Sequence, residues 1–175
     1  MSIHRYVLTG APGAGKTTLI DALRERGHAV VAEAATDVIA RRRADGRPGE
    51  WRDPSFLTEI TELQRQRELA ATGEVIFFDR SPVCTLALAH YSDLPVPPTL
   101  QAAVDRATGF YRRQAFLVRP LGFVVKTAAR RISYADSLRF AAIHEDVYAA
   151  CGFTLLDVPN EPIADRVARI EALIG

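Results

Sequence analysis

Gly10-Ala11-Pro12-Gly13-Ala14-Gly15-Lys16-Thr17 fits the pattern G-x-x-x-x-G-K-[ST], and its reading decides the fold. The octet follows the apolar run Tyr6-Val7-Leu8 and precedes the helical stretch Leu19 to Arg26, the strand-loop-helix setting that the pattern requires. Glycines let successive N–H groups curl around a phosphate, and the helix start adds its dipole. Gly10, Gly13, Ala14, Gly15, Lys16, Thr17 and Thr18 are therefore the expected nucleotide contacts, with Lys16 on β- and γ-oxygens and the Thr17 hydroxyl on Mg²⁺. Such an octet arises by chance in well under about 1% of chains this long. It identifies a nucleotide-phosphate site and leaves the reaction open.

Outward from the loop, apolar runs alternate with helical material. Besides Tyr6 to Leu8 they are Ala29-Val30-Val31-Ala32, Val75-Ile76-Phe77-Phe78, Ala115-Phe116-Leu117-Val118 and Phe153-Thr154-Leu155-Leu156. Gly27, Gly73 and Gly152 each stand between a helical stretch and a run, where glycine closes helices. Pro follows Asp53, Ser81 and Glu161 at expected helix starts, and Ser133 with Asp136 forms a capping box for a helix to about Ala150. The pattern predicts an α/β protein: a three-layer αβα P-loop fold with a five-stranded parallel sheet, as one domain over 1–175. Residues 43–52, 94–98, 119–132 and 158–161 read as loops.

Open α/β sheets bind ligands at the carboxyl ends of their strands. Asp79 ends the third run and is the expected metal-side acid, the alternative being a cap for the helix begun by Ser81-Pro82. Arg80 points into the same crevice as an acceptor or phosphoryl contact, or else forms a surface ion pair. Glu33, after the second run, is a candidate base for an acceptor hydroxyl, or a first-turn acid of the next helix. Trp51, Asp53, Phe56, Arg65 and Gln66 are candidates for a substrate pocket, with Trp51 and Phe56 alternatively plain core. Arg41-Arg42-Arg43 reads as a solvated helix end rather than a phosphate contact. Residues 119–133, with Lys126, Arg130 and Arg131, form a lid candidate whose cations would cover the transferring group, Arg130 foremost.

Twenty-two Lys and Arg against 21 Asp and Glu leave a net charge of +1, which argues against nucleic acid as a partner. No stretch approaches the roughly 20 apolar residues of a membrane span, and Met1 to Gly10 lacks a signal-peptide core. Cys84 and Cys151 show no metal spacing and read as buried free thiols of a reducing compartment, so the expected location is the cytoplasm. Oligomeric state is not legible.

The chain resembles the bacterial predicted-ATPase family of P-loop kinase type, related to the ribosylnicotinamide kinase domain of the bifunctional NAD regulator. The stretches that carry the resemblance are Thr9 to Thr18, Glu33 to Ile39, Leu63 to Gln66, Phe77 to Pro82 and Arg130 to Ser133. The resemblance implies a nucleoside- or nucleotide-kinase-like fold with ATP as phosphoryl donor, and a small-molecule acceptor such as a nucleoside, nucleotide or related metabolite. Asp79-Arg80-Ser81 looks like the acid-arginine pair of thymidylate and deoxynucleoside kinases, and Glu33 matches their base. Ala34 stands where those enzymes usually have Pro, and residues 122–129 are more apolar than an arginine-rich lid. Lys16, Glu33, Arg80 and Arg130 are then the catalytic candidates, Glu33, Trp51, Arg65 and Arg80 the acceptor contacts, and Thr17 with Asp79 the Mg²⁺ ligands. The alternative is a nucleotide-hydrolysing regulatory or binding module without a small-molecule acceptor. N-K-x-D and L-S-G-G-Q motifs are absent, which argues against a regulatory GTPase and a transporter ATPase.

Overall fold

Each of the five apolar runs forms a strand in a computed structural model that describes residues 2–47, 52–121 and 133–174. The strands are β1 (His4–Thr9), β2 (Ala29–Val31), β3 (Val75–Asp79), β4 (Gln114–Val118) and β5 (Thr154–Val158). The helices are α1 (Lys16–Glu25), α2 (Ala35–Ala44), α3 (Pro54–Ala70), α4 (Pro82–Tyr91), α5 (Pro98–Phe110), α6 (Tyr134–Ala150) and α7 (Ile163–Ile174). All pairings are parallel, in the order β2-β3-β1-β4-β5. No described helix is long and apolar enough to cross a membrane.

Parallel strands buried on both faces read as continuous apolar runs, and the two faces fill two cores. Tyr6, Leu8, Phe77, Phe116 and Val118 point toward α1 and α7, packing on Leu19, Leu23, Val167 and Ile170. Val7, Ile76, Phe78 and Ala115 point the other way, into a larger core with Val38, Phe56, Leu57, Val83, Ala87, Val104 and Tyr148. At the middle of the first core Phe77 lies 5.8 Å from Tyr6 and 6.4 Å from Phe116, ring centroid to centroid.

Ser133 caps α6 as expected: its Oγ accepts from the Asp136 N–H at 3.1 Å and donates to Asp136 Oδ2 at 2.7 Å, and α6 ends at Ala150. Gly27 and Gly152 follow the C-caps of α1 and α6. Gly73 differs. The third helix stops at Ala70, and Gly73 (φ 138°) lies in the turn before β3, where an added Cβ would come 3.0 Å from that of Ala29.

The arginine run is likewise not a uniformly solvated helix end. Arg42 is 1% exposed, lies 5.5 Å over the Phe56 ring, and donates to Asp53 (2.9 Å) and Glu59 (2.9 and 3.2 Å) and to Ser55. Its position one turn after Val38 and Ile39 turns it inward, so it fastens α2 to the start of α3. Asp53 is engaged there too: it caps α3 by accepting from the Ser55 N–H at 2.9 Å. Bonds from the Ser55 hydroxyl and N–H, with Arg42, hold its pKa down to about 2. It is thus a structural acid and not a pocket residue.

Because Phe77 is fully buried between two rings, Phe77→Ala should lower the unfolding free energy by about 3–5 kcal/mol, measured by urea denaturation.

Candidate functional site

All-parallel pairing brings every strand's carboxyl end to one edge, where β1 delivers the phosphate loop. The chain turns there at Gly10 (φ 127°), so close to β4 that an added Cβ would lie 2.5 Å from the Val118 carbonyl oxygen. Gly15 (φ 83°) is the N-cap of α1, and no acid stands in that helix's first turn to cancel its positive end. Lys16 opens the helix. It is 5% exposed, and its Nζ donates to the carbonyls of Gly10 (2.9 Å) and Ala11 (2.7 Å). Burial, and then the charge of Arg80, lower its pKa to about 7, while Asp79 and Glu33 pull the other way. Thr17 and Thr18 lie on the first turn, Thr17 exposed.

The strand β3 pairs directly with β1, Leu8 opposite Asp79, and so sets Asp79 beside the loop at 2% exposure. Arg80 follows in a left-handed backbone conformation (φ 77°) that a residue with a side chain adopts at a cost of about 1–3 kcal/mol. Its amide continues the sheet by donating to Leu8 at 3.0 Å. Its Nε donates to Glu33 Oε1 at 2.9 Å and Nη1 to the Gly10 carbonyl at 3.3 Å. Burial opposes the charge of Arg80, but Glu33, Cys84 and Asp79 outweigh it and hold the pKa above the ordinary arginine value. Glu33 also accepts from the Thr36 hydroxyl at 3.3 Å. The turn that carries it is fixed by Arg67, which donates to the Ala32 carbonyl at 3.0 Å and to that of Glu33, and pairs with Asp37.

One cleft joins these groups to an apolar chamber, enclosing about 820 Å³ with its open mouth. Pro12, Gly13, Lys16, Thr17, Glu33 and Arg80 line its near end. Ile39, Phe56, Ile60, Leu88 and Phe140 wall the far end, with Gln64 and Thr85 as polar groups among them. Phe56, Ile60 and Gln64 stand four apart on α3 and form one stripe.

Several expected residues are placed elsewhere. Arg65 lies off the cleft: it is one residue past the stripe, about 100° round the axis, and it bonds Glu68 at 3.2 Å with its guanidinium 5.9 Å from the Phe110 ring centroid. Gln64 occupies the place expected of it. Gln66, two residues past the stripe, is exposed. Trp51 and Arg130, with Lys126, Arg131 and the lid candidate over 122–132, lie outside the described residues. Arg119, at the start of that segment, pairs with Asp157 (2.8 Å) and Glu145 (2.6 Å).

Gln64, Thr85, Phe140, Arg67 and Tyr148 were not singled out as site residues by their sequence. The stripe Phe56-x₃-Ile60-x₃-Gln64 carried a signal for the first of them. Tyr148 fixes the floor: its hydroxyl lies 2.7 Å from Ser81 Oγ and 3.0 Å from Cys84 Sγ, and Cys84 lies 3.2 Å from Thr9 Oγ1.

Residues 5–166 match the AAA domain family. The chain belongs to that family. No curated protein matches the sequence. Among solved structures, a thymidylate kinase from Ehrlichia chaffeensis superposes with a TM-score of 0.70 at 13% identity, covering 100% of both chains. A deoxyadenosine kinase from M. mycoides, solved with dCMP and dCDP, superposes with a TM-score of 0.61 at 14% identity, covering 97% of this chain and 98% of that one. This AAA domain protein therefore has the P-loop fold of nucleotide and nucleoside kinases.

A lysine held near pKa 7 in the loop binds polyphosphate best when charged, so binding should draw a proton onto Lys16. Titration calorimetry with ATP at pH 8, in buffers of different ionisation enthalpy, should show net proton uptake that falls toward zero at pH 6 and disappears in Lys16→Met. In the folded chain without nucleotide the depressed pKa has the opposite linkage: the unfolded state binds the extra proton between about pH 7 and 10, so this group's destabilising contribution grows as pH falls through that window and is relieved as pH rises through it.

Proposed function

We propose that this protein transfers the γ-phosphoryl group of ATP to a hydroxyl of a small acceptor whose planar, largely apolar body sits in the cleft. One observation carries the reading: a single cleft has the phosphate loop and the Glu33–Arg80 pair at one end and the chamber of Phe56, Ile60, Leu88 and Phe140 at the other. ATP as donor rests on the resemblance to P-loop kinases.

Positioning and charge neutralisation supply most of the catalysis in such a transfer. The loop amides and charged Lys16 would grip the β- and γ-phosphates. Arg80, fixed between Glu33 and the Gly10 carbonyl, would contact the phosphoryl group passing from donor to acceptor. Glu33 would accept the hydroxyl proton as the acceptor oxygen bonds to phosphorus and the bond from phosphorus to the bridging oxygen of ADP breaks. Thr17 and Asp79 would hold Mg²⁺, which would supply positive charge to offset the negative charge of the phosphates. The glycine turn that admits no Cβ and the buried lysine fit a polyphosphate. Two acids at the end of β3 and after β2 fit a cation and a base.

Glu33 favours a hydroxyl over a phosphate as nucleophile, because a hydroxyl has a proton for the carboxylate to take and a phosphate dianion has none. Gln64 suits a polar edge on the acceptor: its Nε2 lies 3.5 Å from the Tyr111 hydroxyl, which itself donates to Glu68 at 2.6 Å, so the amide is backed by the core while it lines the cleft.

Incubation with γ-labelled ATP and a panel of nucleosides, nucleoside monophosphates and other heteroaromatic alcohols should give label on a hydroxyl of one class. In Glu33→Gln, kcat for that acceptor should fall about 10²–10⁴-fold with ATP affinity little changed. Label on monophosphates alone would overturn the hydroxyl assignment. ATP hydrolysis with no acceptor labelled would favour a regulatory ATPase instead.

A further inference from the structure

Arg166 reaches the phosphate loop from α7, which packs beside α1. It sits in the first turn of α7, is 2% exposed, and reaches across to donate Nη1 to the Ala14 carbonyl at 3.0 Å and Nη2 to the Arg119 carbonyl at 3.4 Å. Its guanidinium packs on Gly15, where an added Cβ would lie 3.5 Å from Nη1. Among the described residues no carboxylate comes within ion-pair distance of it, and its Nε has no hydrogen-bond partner. The nearest influential acid, Glu161, is bonded to Arg169.

A buried cation without a paired anion is costly, and folded proteins keep such groups where a charge is used. Arg42, the other arginine buried to this degree among the described residues, has Asp53 and Glu59, and the partly buried Arg80 has Glu33. Arg166 instead has two carbonyls, one of them inside the nucleotide loop. Bonding to a carbonyl oxygen from behind also polarises that peptide unit, which strengthens the next N–H, that of Gly15, as a donor.

We propose that Arg166 is a positioning residue for the phosphates of the bound nucleotide. Through the Ala14 carbonyl it holds the Ala14–Gly15 peptide so that the Gly15 N–H faces the phosphate groove, and it adds a buried positive charge whose counter-anion is the polyphosphate. Its second bond ties the loop to the end of β4, so the loop and the edge of the lid candidate share one anchor. The proposal depends on the loop as a phosphate site and not on the identity of any acceptor.

The test compares wild type, Arg166→Met and Arg166→Lys by calorimetric binding of adenosine, AMP, ADP and ATP and by thermal melting without nucleotide. Arg166→Met should weaken ATP and ADP by about tenfold or more, the size of a charge-assisted contact, while changing AMP less and adenosine little. Arg166→Lys, which keeps the charge but not the fork, should recover part of the loss. A loss equal for all four ligands, or one that simply follows a lowered melting temperature, would overturn the proposal, as would unchanged ATP affinity in Arg166→Met. If Arg166→Met fails to fold, the neutral Arg166→Gln takes its place, and wild-type ATP affinity in Arg166→Gln would overturn the proposal equally.

Discussion

The ammonium of Lys16 is the constraint around which the site is arranged. It is taken out of water at the start of α1, and the carbonyls of Gly10 and Ala11 replace the lost hydration. Those carbonyls can turn inward because Gly10 takes a backbone conformation closed to other residues and passes directly beneath Val118. Asp79 and Glu33 favour the charge while burial and Arg80 oppose it. The balance leaves a lysine near neutrality, poised to be charged by an anion.

Behind this charge cluster stands a buried polar wall. Thr9, Cys84, Tyr148 and Ser81 are hydrogen-bonded in series between β1, α4 and α6. Tertiary contacts of this kind can hold a residue such as Arg80 in a strained conformation, since a relaxed backbone there would swing the guanidinium away from Glu33 and Gly10. Cys84 is thereby part of the site's support. Cys151 is a half-buried free thiol at the end of α6, so the two cysteines have different environments.

The same P-loop fold carries unrelated reactions, and at 13% and 14% identity the two kinases share architecture with this chain. The candidate site of this chain is built locally, from the Glu33–Arg80 pair drawn from two strand ends and an apolar chamber formed by α2, α3, α4 and α6. Arg67 and Arg42 show how that chamber is framed. One fixes the turn bearing Glu33 from α3, and the other fastens α2 to the start of α3.

The sequence by itself determined the phosphate loop, the five strands and the helix caps, because each depends on neighbours in the chain: glycine at a tight turn, apolar runs for strands buried on both faces, Ser133 three residues before Asp136. It also put Asp79, Arg80 and Glu33 at the sheet edge, since parallel strands all end on one side. Tertiary structure alone decided which long side chains meet. Arg42, Arg67 and Arg166 are ordinary helix arginines in sequence, and only packing sends them to Asp53, to the Ala32 carbonyl and to the Ala14 carbonyl. Gln64 and Arg65 are adjacent in sequence, and the pitch of α3 alone sends one to the cleft and the other to Phe110. A flexible side chain reaches several ångströms in any direction, so its partner is set by the arrangement of elements around it and not by its position in the chain.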